Sequence, residues 1–418
     1  MTTMKPRTLS LGLLAILAAA NAAATSHSLL PAGSDDMVPG HLQALPPASA
    51  LITRDATRPH AERLPVSVSW ALPGDAPIDP VPQPFARASR EYWMDVSATE
   101  LQRGIALPLS APGAIIRLSP SDTRGGRLAA SGVNVRIGGQ SVAGDRAASQ
   151  VGDVSALRTS GMDVPDASLV MQLRPELGAG AATLTAAGAS GRYVVHVFEP
   201  RSTLTVTARA DRDVALLGEP VHVTVALRDG DRTRPLQAVG GFLRAPDGQT
   251  TLLDYRAGTN GDFDATALPL HASRTPGLWE LHSFTLSDDG HGNAVRRDTT
   301  SVFAVAVPDA RLDGTADTRP GKNHGIDVTL GLDAASASRY AVSGVLYGRD
   351  ASGRMVPGAY AQSAAWVAPG RGALVLHFDR SSVAGIGAPY ELRDLRLQDQ
   401  PAISLLEHRA LALRFDRP

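Results

Sequence analysis

The stretch "LLGEPVHVTVALRDG", residues 216–230, is the most regular part of the sequence and decides the fold class. Apolar and polar residues alternate along it, so that Val221, Val223, Val225 and Leu227 share one face. A period of two is the pattern of a β-strand that is buried on one face and solvated on the other. Glycines flank the run, as turn residues do. The stretch therefore predicts a strand that covers a core.

A similar pattern extends over most of the chain, where short apolar runs are separated by the turn residues Gly, Pro and Asp. We predict an all-β fold, with an N-terminal β domain over residues 91–200 and two immunoglobulin-like β-sandwich domains over 201–310 and 311–418. A length of 418 residues and a hydrophobic content of 43% suffice for several separate cores. A short helix is expected after Ser97, which is a suitable N-cap.

The N-terminal part has two distinct segments. Residues 1–24 combine a short basic region, an apolar stretch and small residues, which is typical of a secretory signal peptide. The apolar stretch is too short to span a bilayer, so the mature chain is predicted to have no transmembrane segment and to be exported, to the periplasm or the extracellular space. Residues 25–90 are rich in proline and predict an extended arm with one strand-like island at residues 66–70.

The charge balance and the cysteine count exclude several classes of function. Forty Lys+Arg against 41 Asp+Glu give a formal net charge of -1, so no global field attracts nucleic acid, and no nucleic-acid partner is expected. The sequence contains no cysteine, which excludes disulfides, thiolate metal sites and thiol nucleophiles.

Two acidic loops are the candidate metal sites: Asp262 and Asp264 in one, and Asp288, Asp289 and His291 in the other. Calcium needs about six to eight oxygen ligands, and the second loop lacks both the alternating acidic pattern and a terminal bidentate Glu. Zinc would need further organised ligands beside the single histidine of that loop. We therefore predict two hairpins and no cofactor. Calcium is the alternative, which convergence of the two loops would favour.

Three aromatic residues form the candidate ligand-binding site. Trp70 and the adjacent pair Tyr92 and Trp93 are expected where the arm meets the first domain, and aromatic faces of this kind bind sugars or peptide side chains. We expect instead that they attach the arm to the domain, and ligand binding is the alternative.

Several segments carry a resemblance to a known family: "EYWMDVSATELQRGIALPLSAPGAIIRLSP", "SLVMQLRPELGAGAATLTA" and "YVVHVFEP" in the first domain, and "SRYAVSGVLYG" with "YELRDLRLQD" in the last. The chain resembles the secreted proteobacterial family catalogued as domain of unknown function 4785 (DUF4785). The resemblance covers nearly the whole mature chain and implies an N-terminal β domain followed by immunoglobulin-like domains. It implies no catalytic residue and no activity. Through "GEPVHVTVAL" and "PGLWEL", the middle domain also resembles macroglobulin-type modules, which mediate contacts or act as spacers.

No catalytic motif is assembled in the sequence. It contains no HExxH, P-loop or dinucleotide fingerprint, and Ser141 lacks the closing glycine of a nucleophile elbow. We therefore expect a non-catalytic, exported β protein that presents loops or sheet edges to a protein or cell-envelope partner. The alternative is a carbohydrate-binding or metal-dependent hydrolytic protein of the periplasm or secretome.

Overall fold

The computed structural model describes residues 24–45, 63–78, 84–152, 154–159, 161, 164–165, 167–273, 275–321 and 324–418. The signal peptide predicted for residues 1–24 lies outside these ranges, apart from its last residue. The chain divides into a terminal unit, Met1–Pro80 with Asp309–Pro418, and a central unit, Val81–Pro308.

The strands are numbered in chain order. Those before residue 91 are β1 Thr25–Ser28, β2 Val66–Ala71 and β3 Ala86–Ser89. Those of the first domain, residues 91–200, are β4 Glu91–Ser97, β5 Ile105–Leu109, β6 Ile115–Pro120, β7 Val133–Ile137, β8 Gln140–Ala143, β9 Ala148–Gly152, β10 Leu169–Leu173, β11 Gly180–Ala186 and β12 Arg192–Phe198. Those of the second domain, residues 201–308, are β13 Leu204–Ala210, β14 Val214–Leu216, β15 Val221–Asp229, β16 Arg232–Arg234, β17 Ala238–Arg244, β18 Thr250–Leu252, β19 Arg256–Ala257, β20 Phe263–Ala267, β21 Trp279–Asp288 and β22 Ala294–Ala306. The remaining strands are β23 Ala310–Pro320, β24 Ile326–Ala334, β25 Ser338–Arg349, β26 Met355–Val367, β27 Gly370–Phe378, β28 Gly387–Asp399 and β29 Ser404–Phe415.

The described helices are all short: α1 Ala98–Arg103, α2 Gly144–Ala147, α3 Val154–Thr159 and α4 Arg380–Val383, with 3-10 turns at Ala130–Gly132 and Pro175–Leu177. Within the described ranges, none of them has the length and apolar character that a membrane crossing requires. The all-β prediction is confirmed.

The first domain packs two antiparallel sheets against each other, in the orders β4-β12-β6-β10-β9 and β5-β11-β7-β8. Alternation decides which side chains enter the core: Val133, Val135 and Ile137 of β7 are buried, as are Tyr193 and Val195 of β12. Strands β4 and β5 are edge strands of their sheets, and α1 connects them.

The second domain has the two-sheet arrangement that the sequence predicted. One sheet has the order β19-β20-β15-β13-β3, with β16 beside β15, and the other has the order β14-β22-β21-β17-β18. The opening stretch of the sequence forms β15, and Val221, Val223, Val225 and Leu227 are completely buried in a core shared by both sheets. Trp279 of the second sheet packs in the same core.

The terminal unit corrects the description of residues 25–90 as one extended arm. Strand β1 extends the sheet β1-β23-β24-β27, and β2, the strand-like island, extends the sheet β2-β26-β25-β28-β29. Strand β3 pairs with β13 in the second domain instead. All three short strands lie at the edges of their sheets, where each bonds to one neighbouring strand only.

Candidate functional site

The loop with Asp288, Asp289 and His291 is the turn of the β21–β22 hairpin, so the hairpin prediction is confirmed. The Asp289 carboxylate accepts hydrogen bonds from the backbone N–H groups of His291 at 2.8 Å and Asn293 at 3.1 Å, and from the Asn293 side-chain amide at 2.7 Å. Desolvation raises the pKa of Asp289, but these hydrogen bonds outweigh it and lower the pKa below its usual value. The Asp288 carboxylate accepts from the Gly290 N–H at 2.7 Å. Both carboxylates thus stabilise the turn.

The second acidic pair also has local partners. Phe263 begins β20 and packs against the core of the second domain, as predicted, while Asp264 accepts a hydrogen bond from the Thr224 hydroxyl at 2.7 Å. The half-buried Asp262 precedes the strand. Among the described residues, no group of three or more His, Asp or Glu side chains is close enough to hold a metal ion. The convergence that would favour calcium is therefore not seen there, and calcium at the loops is an untested hypothesis.

The three candidate aromatic residues belong to different units and have different environments. Trp70 lies on β2 in the terminal unit, half exposed, with its ring centroid 4.5 Å from that of Tyr360. Tyr92 lies in the central unit and is completely buried, and its hydroxyl donates to the carbonyl of Pro108 at 3.1 Å. Tyr92 is therefore a core residue rather than a binding face, because alternation along β4 turns it inward. Trp93, its neighbour, turns outward.

Trp93 is held in a fixed orientation by the side chain beside it. Its indole stacks on the imidazole of His196, with centroids 4.8 Å apart and an interplanar angle of 10°. The His196 Nε2 atom lies 2.9 Å from the Glu91 carboxylate. Burial raises the pKa of Glu91, but its hydrogen bond with His196 and the charges of His196 and nearby arginines outweigh burial and lower that pKa. Glu91 is therefore ionised near neutral pH and orients the imidazole under the indole.

Trp93 lines a cleft of about 740 Å³, which we call the Trp93 cleft. Its walls come from both domains of the central unit: residues 93–96, Glu100 and residues 103–106 of the first domain, and Phe284 and Arg296 of the second. This volume lies in the range of small-ligand and peptide sites. Aromatic, cationic and carboxylate side chains thus converge on one concave surface.

The two domains are joined by a completely buried ion pair between Glu199 and Arg297, 2.6 Å apart. The Arg297 guanidinium also donates to the hydroxyls of Ser110 at 2.7 Å and Ser202 at 2.9 Å, and to the carbonyl of Leu204 at 3.1 Å. The Glu199 carboxylate accepts from the Ser110 N–H at 2.6 Å. Because a buried charge needs a complete set of partners, this network fixes one domain against the other and keeps the cleft walls in place.

A second contact between the domains reaches the cleft itself. The Asp298 carboxylate accepts a hydrogen bond from the backbone N–H of Trp93 at 2.7 Å, while its other oxygen has no hydrogen-bond partner within the part of the chain that the structure describes. Desolvation raises the pKa of Asp298 to about 6, although the Trp93 N–H and the charges of Arg296 and Arg297 act in the opposite direction.

The two carboxylates that line the cleft, those of Glu100 and Asp95, are already engaged by other groups. A glycosidase general acid needs a raised pKa. Hydrogen bonds from the backbone and hydroxyl of Ser97 instead lower the pKa of Glu100. Ser97 is the N-cap predicted for α1, and the structure adds Glu100 as its partner in a capping box. Asp95 is engaged with Arg192 in an exposed ion pair of 2.7 Å.

Sequence reasoning selected Trp93 but missed most of this site. Phe284, Arg296 and Asp298 are distant in sequence and lie in the second domain, and nothing in their local pattern marks them as neighbours of Trp93. The run of three charged residues "RRD", residues 296–298, was the one available signal, because buried charges require partners.

Comparisons with known proteins agree with the architecture. The N-terminal domain model of the DUF4785 family matches residues 57–199, and its C-terminal domain model matches residues 309–416. A solved DUF4785 family protein from Legionella pneumophila is 20% identical, with a TM-score of 0.66, over 84% of this chain and 94% of that chain, and shares the fold.

Two further solved structures are similar at a much lower level. The α-2-macroglobulin of E. coli is 15% identical with a TM-score of 0.26, over 73% of this chain and 20% of its own. That of Salmonella is 11% identical with a TM-score of 0.22, over 78% of this chain and 23% of its own. These scores support no conclusion about fold or function. No curated protein matches the chain.

Proposed function

The chain belongs to the DUF4785 family, and we propose that it is an exported, non-catalytic binding protein whose ligand site is the Trp93 cleft. One observation carries the proposal: the indole of Trp93 lies at the wall of the cleft, stacked on His196 at 4.8 Å, instead of packing into the core. A rigid aromatic surface in a concave site is the usual anchor for a ligand, because it loses little conformational entropy on binding.

The surroundings of Trp93 suit recognition more than chemistry. Phe284 adds a second, partly exposed aromatic ring, and Arg103 and Arg296 add planar donors beside the carboxylates of Asp95 and Glu100. Such side chains provide polar contacts around an aromatic anchor. The lowered pKa of Glu100 does not favour the hydrolytic alternative.

The proposed partner is a protein or another component of the cell envelope. The signal-like residues 1–24 support export, and the absence of strong net charge, -1 over the chain, supports a partner selected by shape and side-chain contacts. A carbohydrate is the second candidate, because the outer indole face of Trp93 could stack on a sugar ring while the arginines and carboxylates bond its hydroxyls.

The test uses two probes: a random-peptide phage library and an array of peptidoglycan fragments and β-linked oligosaccharides. Ligands of the wild-type protein are then measured against Trp93→Ala. Loss of a central aromatic anchor should weaken binding by about tenfold or more, while the melting temperature changes little.

Trp70→Ala is the matched control, since it makes the same change at a half-exposed tryptophan outside the cleft. Its affinity should equal that of the wild type. If Trp70→Ala loses the ligand and Trp93→Ala retains it, or if neither probe binds the wild type, the proposal is wrong.

A further inference from the structure

We infer that the Trp93 cleft binds an extended peptide segment, which adds as a new strand to the free edge of β4. This inference rests on the proposed function and names the class of its ligand. Its support is the set of backbone N–H and carbonyl groups in the cleft wall. A sugar recognised by side chains would not need these backbone groups.

The hydrogen-bond alternation of β4 shows which backbone groups face its neighbour β12. The Ala98 N–H donates to the Gly191 carbonyl at 2.8 Å, and the Glu199 N–H donates to the Arg90 carbonyl at 3.0 Å. In the antiparallel register between these points, the even-numbered residues of β4 bond to β12 and the odd-numbered residues face away from it. In its sheet β4 is bonded to a neighbour on one side only, so β4 is an edge strand, and β22 of the second domain approaches its other edge at Trp93.

The outward N–H groups on both sides of Asp95 already have acceptors. That of Trp93 donates to the Asp298 carboxylate at 2.7 Å, and that of Ser97 donates to the Glu100 carboxylate at 2.8 Å. The N–H and the carbonyl of Asp95 lie between them, face the cleft, and have no hydrogen-bond partner among the described residues. An extended peptide can form a pair of backbone hydrogen bonds with such a residue, one to its N–H and one to its carbonyl.

The side chains of the cleft define the peptide that fits. The peptide residue that pairs with Asp95 would place its side chain on the same face of the sheet as Asp95 and Trp93. The peptide residues before and after it would place their side chains on the opposite face, toward Met94 and Ile105. The expected ligand is therefore an extended segment with apolar residues on either side of a polar residue. Arg296 and Phe284 cover the peptide from the second domain.

A pair of substitutions at one position separates backbone from side-chain recognition. Asp95→Pro removes the outward N–H and obstructs the edge, and it leaves the ladder to β12 intact because that N–H is not part of it. Asp95→Ala removes the carboxylate and its ion pair with Arg192 but keeps the backbone donor. The probe is a synthetic peptide selected on the wild-type protein from the random-peptide library. Both variants lack the carboxylate, so the difference between them isolates the backbone donor. We expect Asp95→Pro to bind the peptide at least tenfold more weakly than Asp95→Ala.

A second measurement does not depend on the proline variant folding. In the wild-type protein, the same peptide should slow hydrogen exchange of the Asp95 amide. N-methylation of the peptide residue that pairs with Asp95 should abolish binding, while N-methylation of either neighbour should not.

The outcomes distinguish this inference from the proposed function. Equal peptide affinity of folded Asp95→Pro and Asp95→Ala, or no protection of the Asp95 amide, overturns strand addition. Binding of a glycan but no peptide, lost in Trp93→Ala, also overturns strand addition and leaves the binding function standing. Absence of any ligand overturns both.

Discussion

Removal of the buried cation at the domain junction should destabilise the central unit strongly. In Arg297→Met the Glu199 carboxylate, completely buried, loses the guanidinium 2.6 Å away and keeps only hydrogen bonds from Ser110 and Ala111. A buried charge left without its partner lowers the free energy of unfolding by about 3–5 kcal/mol. For a folding unit of this size, each kcal/mol lowers the melting temperature by about 2–4 °C, so a decrease of roughly 6–20 °C is expected.

The assay is urea unfolding of the mature protein followed by hydrogen exchange and mass spectrometry, which resolves the two units. Peptides of the terminal unit serve as an internal control and should be unaffected. The double variant Glu199→Gln with Arg297→Met should recover at least about 2 kcal/mol relative to Arg297→Met, because it removes the unpaired charge and keeps an acceptor for the Ser110 and Ala111 amides. A loss below about 1 kcal/mol in the single variant, or no recovery in the double variant, would refute the reasoning.

Four further predictions concern single residues. Asp298→Asn should raise the melting temperature at pH 7 but not at pH 4. Burial raises the pKa of Asp298 in the folded state from 3.8 to about 6, so its ionisation destabilises the fold as the pH rises from 3.8 through 6. Equal effects of the substitution at both pH values would contradict this. Tyr340→Phe should lower the free energy of unfolding in urea by about 1–3 kcal/mol, since the Tyr340 hydroxyl donates to the buried Asp309 carboxylate at 2.8 Å. A decrease under about 0.5 kcal/mol would count against a stabilising role of that hydrogen bond. Ser97→Ala should destabilise α1 by about 1 kcal/mol, seen as faster hydrogen exchange at residues 98–103, and unchanged exchange would rule out the cap as a source of stability. Calcium should leave the melting temperature unchanged because the Asp289 carboxylate is occupied within its own turn; a calcium-induced rise that Asp289→Ala abolishes would instead establish a metal site.

Local sequence patterns were reliable where a single element determines the outcome. The alternation at residues 216–230 predicted β15 and its buried face, and Ser97 predicted the cap of α1, because both depend on neighbours a few residues away. The turn at Asp288 and Asp289 was predicted for the same reason. Alternation alone could also have separated Tyr92 from Trp93, since adjacent residues of a strand face opposite sides.

The sequence by itself determined that this is an all-β, multi-domain protein without cysteine chemistry, because strand periodicity, turn residues and composition are properties of short stretches. Only the tertiary structure decided that β1 and β2 belong with the last domain, since pairing between distant strands is set by which sheet edges are open. It likewise decided that Trp93 shares a cleft with Phe284 and Arg296, and that Arg297 pairs with Glu199. These contacts join residues about a hundred or more positions apart, and the sequence pattern of a strand specifies its faces but not the partner it packs against.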